Sequence, residues 1–398
     1  MQNIGIVVDN EFNTDIRVVN ECRSLLENGF NIFVLCFNYG QHKNLEMVHG
    51  CQVIRIPVKR KIRNILFAFN NTVELYNIFW KIHIKKFIKK FPVDALHVHD
   101  LYLSKPAFYA TKNSTISFNL DLHENYPAAI KGYKWMFKFP SKYFVNARKW
   151  QKLERKYLNY PEKIIVLSET FRDDLINKYS FLNQNKFIVY PNVADLKELT
   201  GFKIDNSILP KKNDFILFYF GVISERRGIY TVINSLKELK STLPNLKLLL
   251  IGPVYKSERA VFNQTINDQE IKDMIIYYPW KDISLLPSYI NISDICLSPI
   301  IKNDQHESGV ANKIFQYMLF ERPLIVSNCK PQQKIILEEN CGLVFESDNS
   351  NDLSDKIKEL YNDEKLRKEM GVNGKKAIEN KYNTQIAGEN LVNLYRNL

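Results

Sequence analysis

The sequence predicts an α/β chain of two doubly wound domains facing a central cleft, and three observations carry that expectation. Short apolar runs of strand length alternate with helix-length segments along the chain. The alternation weakens over residues 196–213 and then restarts. The chain has 398 residues, more than one hydrophobic core ordinarily organises. The domains are therefore placed at 1–195 and 196–398.

The elements follow in order. "IGIVV" reads as a strand and "DNEFNTDIR" as a polar loop; Val18, Cys22, Leu25 and Leu26 form the apolar stripe of a helix that "NGF" ends before a second strand, "NIFVLCF". This is a βαβ unit. Strand-like runs recur at "CQVIRIPV", "ALHVHD", "TISFNLDLH", "KIIVLS" and "KFIVYP". Helix-length segments between them imply a parallel sheet. After the pause come "FILFYFGVI", a helix over Tyr230 to Lys240, "LKLLLIG", "DMIIYYP", a helix through Leu285 to Ile290, and "ICLSPI". "RPLIVS", "CGLVFES" and two closing helices complete the second domain. Ligands of such sheets bind beyond the carboxyl ends of the strands, so the residues just after each apolar run are the ones to inspect.

Composition narrows the class. A hydrophobic content of 45% marks a folded protein, and no stretch approaches the roughly 18 apolar residues that span a bilayer. The start, "MQNIGIVVDNEF", lacks the basic region and cleavage site of a signal peptide, so a cytoplasmic location is expected. Six cysteines without C-x-x-C spacing fit reduced thiols rather than disulfides or a zinc site.

The net charge of +12 is unevenly distributed. Residues 1–195 hold 28 Lys and Arg against 17 Asp and Glu, and residues 196–398 hold 27 against 26. The excess concentrates in "VKRKIR", in "WKIHIKKFIKKF", and over 131–156, where Lys131, Lys134, Lys138, Lys142, Arg148, Lys149, Lys152, Arg155 and Lys156 sit among aromatic residues. Any one such run is also what a solvated helix face shows. Three in one domain suit an anionic membrane surface, reached from the inner side as a peripheral protein. Nucleic acid would explain the charge but leave the strand-end motifs idle, so no nucleic-acid partner is expected.

Three stretches carry chemistry. In "HESGVANKIFQYMLFERP", Ala311, Ile314, Phe315, Met318 and Leu319 repeat with helical spacing, while Asn312, Lys313 and Gln316 occupy the other face. Ser308 is the expected cap and Gly309 allows close approach, so the first turn with Lys313 forms either a phosphate site or an ordinary capped surface helix. In "FYFGVISERRGIYTVINSL" a strand ends at Gly221, and a loop with Glu225, Arg226 and Arg227 leads through Gly228 into a helix. Glycine admits an anion to the backbone and arginine forks match phosphate oxygens, though such turns are common without a ligand. The third stretch comprises "HVHD" and "DLHENYP", which place histidines at strand ends. His97 and His99 are read as alternating across their strand, unable to share a site, with at least one in packing; His123 enters a polar loop and is the stronger candidate. No metal is expected.

Taken together these residues resemble the retaining glycosyltransferases of family 4, which have the GT-B architecture of two Rossmann-like domains. The resemblance runs along nearly the whole chain, through "DIRVVNECRSLLENGFNIFVL", "DLHENYP", "VLSE", "YPNVAD", "GVISERRGIYTVINSL", "LKLLLIG", "ISDICLSP" and "NKIFQYMLFERPLIVS". It implies a nucleotide-sugar donor bound by the C-terminal domain, with Gly221, Glu225, Arg226, Arg227, Ser308, Gly309, Lys313 and Gln316 around the diphosphate and sugar. It implies His123, Arg227 and Glu307 as catalytic residues. The two glutamates of the family's signature helix fall at Ser308 and Gln316, with Glu307 one residue out of register. The arginine expected after the phosphate-loop glycine is Val222. An amide at Gln316 can accept a hydroxyl hydrogen bond more weakly than a carboxylate.

The resemblance thus implies a metal-independent hexosyl-type transferase without a cofactor, moving sugar from a nucleoside diphosphate to a glycan or lipid-linked saccharide in cell-surface polysaccharide biosynthesis. The basic N-terminal domain would take the acceptor through Asp15, Arg17 and Glu124. The rival readings are a non-catalytic nucleotide-sugar-binding protein, suggested by Gln316 and Val222, and an epimerase of the same architecture.

Overall fold

A computed structural model describes residues 2–70, 73–132, 147–193, 196–208 and 213–397. The chain divides into two compact units, one of residues 1–191 with 385–398 and one of residues 192–384. The division falls a few residues before the expected boundary of 195, and Asp195 lies outside the described residues. The larger difference is at the other end, where the last helix belongs to the first unit and not to the second.

The first unit holds eight described strands: β1 (Asn3–Val7), β2 (Asn31–Asn38), β3 (Leu45–Val48), β4 (Cys51–Pro57), β5 (Ala95–His99), β6 (Ser117–Asp121), β7 (Ile164–Val166) and β8 (Phe187–Val189). They run in the order β3-β4-β2-β1-β5-β6-β7-β8. Order reverses direction beside β1, as in a doubly wound sheet. All described neighbours are parallel except β3, which pairs antiparallel with β4 at the edge. The sequence reading missed β3 because "LEMV" is short and exposed on an edge, without an apolar run. The inner strands are buried along their length, β5 completely, as a sheet covered on both faces requires. Its core gathers Val7, Trp80, Leu96, Val98, Leu120, Trp150 and Ile164.

The helix Ile16–Glu27 follows β1 and buries Val18, Cys22 and Leu25, with Asp15 as its cap accepting from the Val18 amide. The closing helix Thr384–Arg396 buries Leu391, Val392 and Tyr395. Tyr395 Oη bonds His97 Nδ1 at 2.9 Å, fixing that helix to the interior of the first unit.

The second unit holds β9 (Phe215–Phe220), β10 (Leu246–Ile251), β11 (Ile275–Tyr278), β12 (Ile295–Ser298), β13 (Leu324–Ser327) and β14 (Gly342–Phe345). Their order is β11-β10-β9-β12-β13-β14, parallel throughout. The expected helices appear at Ile229–Leu239, Leu286–Asn291 and Asn312–Leu319. Where two closing helices were expected there are three: Ser350–Asn362, Glu364–Asn380 and Thr384–Arg396. All six cysteines are buried free thiols.

Candidate active site

In the second unit, strand order reverses between β9 and β12, and the chain leaving β9 carries a basic turn. Gly221 has φ +132, and the next strand end, Gly252, has φ +148 with room for no side chain, since a Cβ would lie 1.9 Å from the Gly221 carbonyl oxygen. Two strand ends thus touch backbone to backbone. A short turn, Glu225–Arg227, follows. Gly228 then enters the helix Ile229–Leu239 with φ +72, and its absent Cβ would lie 1.6 Å from the Pro299 carbonyl oxygen.

The turn aims its two arginines differently. Arg226 donates to Gln305 Oε1 at 3.2 Å and to the Tyr255 hydroxyl at 3.0 Å, so part of its fork is already committed. Arg227 is half-buried and makes no side-chain hydrogen bond or ion pair among the described residues. Burial lowers its pKa first, and neighbouring Arg226 adds to that. Glu225 is exposed, its amide donating to Glu258 Oε2.

Lys313 comes from the helix Asn312–Leu319. Its ammonium lies 3.6 Å from the Tyr219 ring centroid and 3.1 Å from where a Gly221 Cβ would stand. Burial holds its pKa well below the usual value, with Arg227 adding repulsion. Tyr317, on the same helix, accepts from the Phe220 amide at 3.0 Å and so fastens the helix to the end of β9. Two basic side chains therefore converge beside a glycine strand end without a carboxylate partner among the described residues, an arrangement that favours an anion.

The helix begins differently from the sequence reading. Its cap is Ala311, with no side-chain capping bond, and Ser308 instead donates to the Gln305 carbonyl at 2.7 Å. The stretch 304–308 folds into its own turn, so the serine serves that turn and leaves the helix start uncapped. Gly309 lies half-buried between turn and helix, and Gln316 is half-buried on the helix. Glu307 turns to the next helix, its Oε1 accepting from the Lys330 amide at 3.0 Å. His306, unassigned from the sequence, is buried with Nδ1 2.6 Å from the Ile301 carbonyl, and Nε2 has no partner. Burial lowers its pKa to about 4, with help from Arg227 and Arg226, so it stays neutral.

In the first unit the candidates sit at the carboxyl ends of β1, β5 and β6. His123 Nε2 lies 2.8 Å from His99 Nδ1 and 3.5 Å from Asp121 Oδ2. Burial opposes charge on His123, but Asp100 and Asp121 outweigh it and raise its pKa to about 9. Asp100, which the sequence reading passed over, takes φ +71, a strained conformation for a residue other than glycine. Burial raises its carboxyl pKa to about 7, and Tyr102 donates to it at 2.8 Å. Its signal in the sequence was its position directly after β5.

Two expectations for this unit need correction. Arg17 does not face solvent: it is 6% exposed, pairs both oxygens of Asp121 at 2.8 and 3.0 Å, and donates to the Tyr190 carbonyl at 2.9 Å. As the second residue of the helix Ile16–Glu27 it points at the sheet. His97 and His99 do share a site, with ring centroids 4.6 Å apart. Residues two apart on a strand lie on the same face, and only adjacent ones alternate. Asp15 is half-buried, accepting from Asn10 Nδ2 at 2.7 Å, and Glu124 is half-buried near Asp100.

Of the basic segments, the helices Arg60–Ala68 and Leu75–Lys90 expose Lys61, Lys85, Lys86, Lys89 and Lys90. Between these cations they expose Ile62, Ile65, Ile78 and Ile82. Lys134, Lys138 and Lys142 lie outside the described residues. No helix among the described residues is long and apolar enough to cross a membrane.

Two sheets of this order, parallel but for the edge strand β3, have the architecture of the GT-B glycosyltransferases, and comparison with known proteins shows that class. Residues 15–198 match the family model described as Glycosyltransferase Family 4, and residues 202–377 match the model Glycosyl transferases group 1. The chain belongs to this glycosyltransferase family. The Staphylococcus aureus capsular polysaccharide biosynthesis glycosyltransferase CapM is 26% identical over 245 residues, spanning 58% of this chain and 60% of CapM. Sucrose-phosphate synthase from Thermosynechococcus elongatus superposes with a TM-score of 0.76 at 16% identity, covering 100% of this chain and 99% of that one. The Anabaena protein HepE, in complex with UDP and glucose, superposes with a TM-score of 0.74 at 12% identity over 100% of both chains.

Proposed function

We propose that the protein transfers a hexosyl group from a nucleoside-diphosphate sugar to a glycan or lipid-linked saccharide with retention of configuration, in the synthesis of a cell-surface polysaccharide. The observation that carries this reading is the pair of basic side chains, Arg227 and Lys313, beside the Gly221 strand end and without carboxylate partners among the described residues. The kinship with CapM supports the polysaccharide, and the UDP-bound HepE neighbour supports the donor class.

In this reading the diphosphate lies against Gly221 and the uncapped start of the helix Asn312–Leu319. Arg227, Lys313 and the free part of the Arg226 fork stabilise the charge that develops on the leaving group, so the reaction needs no metal and no cofactor. Gln316 accepts from a ribose hydroxyl, Gly309 gives close backbone approach, and Glu225 borders the site. Glu307 and Ser308 lie toward the sugar, Glu307 through the lone pairs its Lys330 bond leaves over. The first unit serves the acceptor through Asp15, Glu124 and His123, the last donating a ring N–H to substrate oxygens. Arg17 acts from inside, holding Asp121 under His123.

We place the protein at the inner face of an anionic membrane, docked by the isoleucines and lysines of the helices Arg60–Ala68 and Leu75–Lys90. Each surface cation contributes about 1 kcal/mol near such a membrane.

Titration with UDP, GDP and their sugars, followed by a turnover assay with saccharide acceptors, tests the function. Binding with sugar release to an acceptor is expected. Binding without turnover on any acceptor would favour a nucleotide-sugar-binding protein, and turnover of the sugar without an acceptor would favour an epimerase.

A further inference from the structure

We infer that the interior of the first unit is a structural divalent-cation site, with Glu21, His97, His99 and Asp121 as its ligands and zinc as the ion that suits them. All four side chains are fully buried, and one donor atom from each lies within 4.8 Å of the others. Two imidazoles and two carboxylates form a ligand set for zinc or a similar first-row ion.

The distances suit such an ion. His97 Nε2 lies 3.3 Å from Glu21 Oε2 and 3.8 Å from Asp121 Oδ2, and His99 Nε2 lies 3.7 Å from Glu21 Oε2. A tetrahedron built on bonds of about 2.0–2.1 Å has edges of roughly 3.3 Å; the donor atoms lie within 4.8 Å of one another, so the outermost move inward to close the site.

The orientation of the rings is a second, independent observation. Each histidine is held at Nδ1, His97 by the Tyr395 hydroxyl at 2.9 Å and His99 by His123 at 2.8 Å; with the ion bound, His99 Nδ1 carries the proton and donates to His123 Nε2, leaving His99 Nε2 free to ligate. Both Nε2 atoms lie beside Glu21 Oε2 and neither has a hydrogen-bond partner among the described residues, while Asp121 Oδ2 approaches His97 at Nε2 and His99 at Nδ1. Glu21 forms an ion pair with Arg17 Nε at 3.1 Å, yet neither of its oxygens accepts a hydrogen bond. Buried polar atoms are rarely left so. An outer partner on the far nitrogen of each ring and a guanidinium clamped on the ligating carboxylate, here Arg17 on Asp121, are the usual surroundings of a protein-bound metal.

Protein supplies all four positions, so the ion stabilises the unit and takes no part in sugar transfer. It ties the helix Ile16–Glu27 to β5 and β6, and through Tyr395 it reaches the closing helix. Because the site is closed, the ion enters as the chain folds.

The full chain, purified without chelators, is measured for metal by mass spectrometry, then unfolded with a chelator and refolded with and without Zn2+. One zinc per chain is expected, together with a rise in melting temperature of roughly 5 °C or more for the zinc-refolded protein. X-ray absorption is expected to show nitrogen and oxygen neighbours with imidazole scattering. The double variant His97→Gln/His99→Gln is expected to fall to background zinc, and His42→Gln, outside the cluster, to retain it. A wild-type chain that refolds in Zn2+ with less than a tenth of an equivalent bound and an unchanged melting temperature overturns the inference, whatever the variants do. So does sulfur ligation in the absorption spectrum.

Discussion

Arg227 and Lys313 test the donor reading one side chain at a time. Each charge-assisted hydrogen bond to phosphate is worth about 1.5–3 kcal/mol, so Arg227→Ala is expected to weaken UDP or GDP binding by about 10- to 100-fold. Its guanidinium makes no hydrogen bond among the described residues, so the melting temperature should hardly change, and calorimetry with thermal melts separates the two effects. Gln316→Glu restores an acid at the expected ribose contact and should tighten nucleoside diphosphate binding several-fold. Unchanged affinity would remove Gln316 from the ribose. His123 gives a pH signature in the ion-free chain. Its pKa rises from an ordinary 6.5 to about 9 on folding, so the stability it contributes is complete below pH 6.5 and is lost as pH rises through 9. The melting-temperature gap between wild type and His123→Gln should therefore be widest below pH 6.5 and close by pH 9 to 10. The sequence made Arg227, Lys313 and His123 visible because each follows a strand or opens a helix. It hid the burial of Arg17, the capping of the Lys330 amide by Glu307, and the strained Asp100, all of which depend on which way a side chain turns.

At the level of elements, the glycines of the second unit are fixed by backbone contact. Gly228→Ala would put a methyl group 1.6 Å from the Pro299 carbonyl oxygen at φ +72. It should lower stability by at least about 2 kcal/mol in denaturant titrations, since both strain and clash must be relieved. The helices and strands around these glycines were legible from periodicity alone: "FILFYF" is buried from its first residue to its fifth, and the stripe Ile314, Phe315, Met318, Leu319 is buried as spaced. Elements lacking such a pattern were not legible. β3 has exposed positions at Leu45 and Met47, and the start of the helix Asn312–Leu319 was misplaced because a serine three residues early offered a plausible cap that folding spends on a different turn. The pair His97 and His99 was misjudged on geometry that the strand itself supplies, because the i and i+2 positions share a face.

For the molecule as a whole, the division of charge is the testable feature. The excess of cations belongs to residues 1–195, and the structure intersperses those of two helices with exposed isoleucines. Cosedimentation at low salt should show binding to vesicles rich in anionic lipid and little to neutral ones, and Ile62→Ser with Ile78→Ser should reduce it several-fold without altering nucleotide affinity. Equal binding to both vesicle types would remove the membrane from the proposal. Two parallel sheets and the pause between them were legible because apolar runs announce buried strands. The destination of the last helix was not, since its apolar stripe specifies that it is covered and not by which unit. That destination bears on how the protein is made. A ribosome delivers residues 1–191 first, but Tyr395 and its neighbours arrive only after all of residues 192–384 have been synthesised. The domain that begins to form earliest is therefore finished last, and His97 waits for its hydrogen-bond partner through the synthesis of an entire second domain.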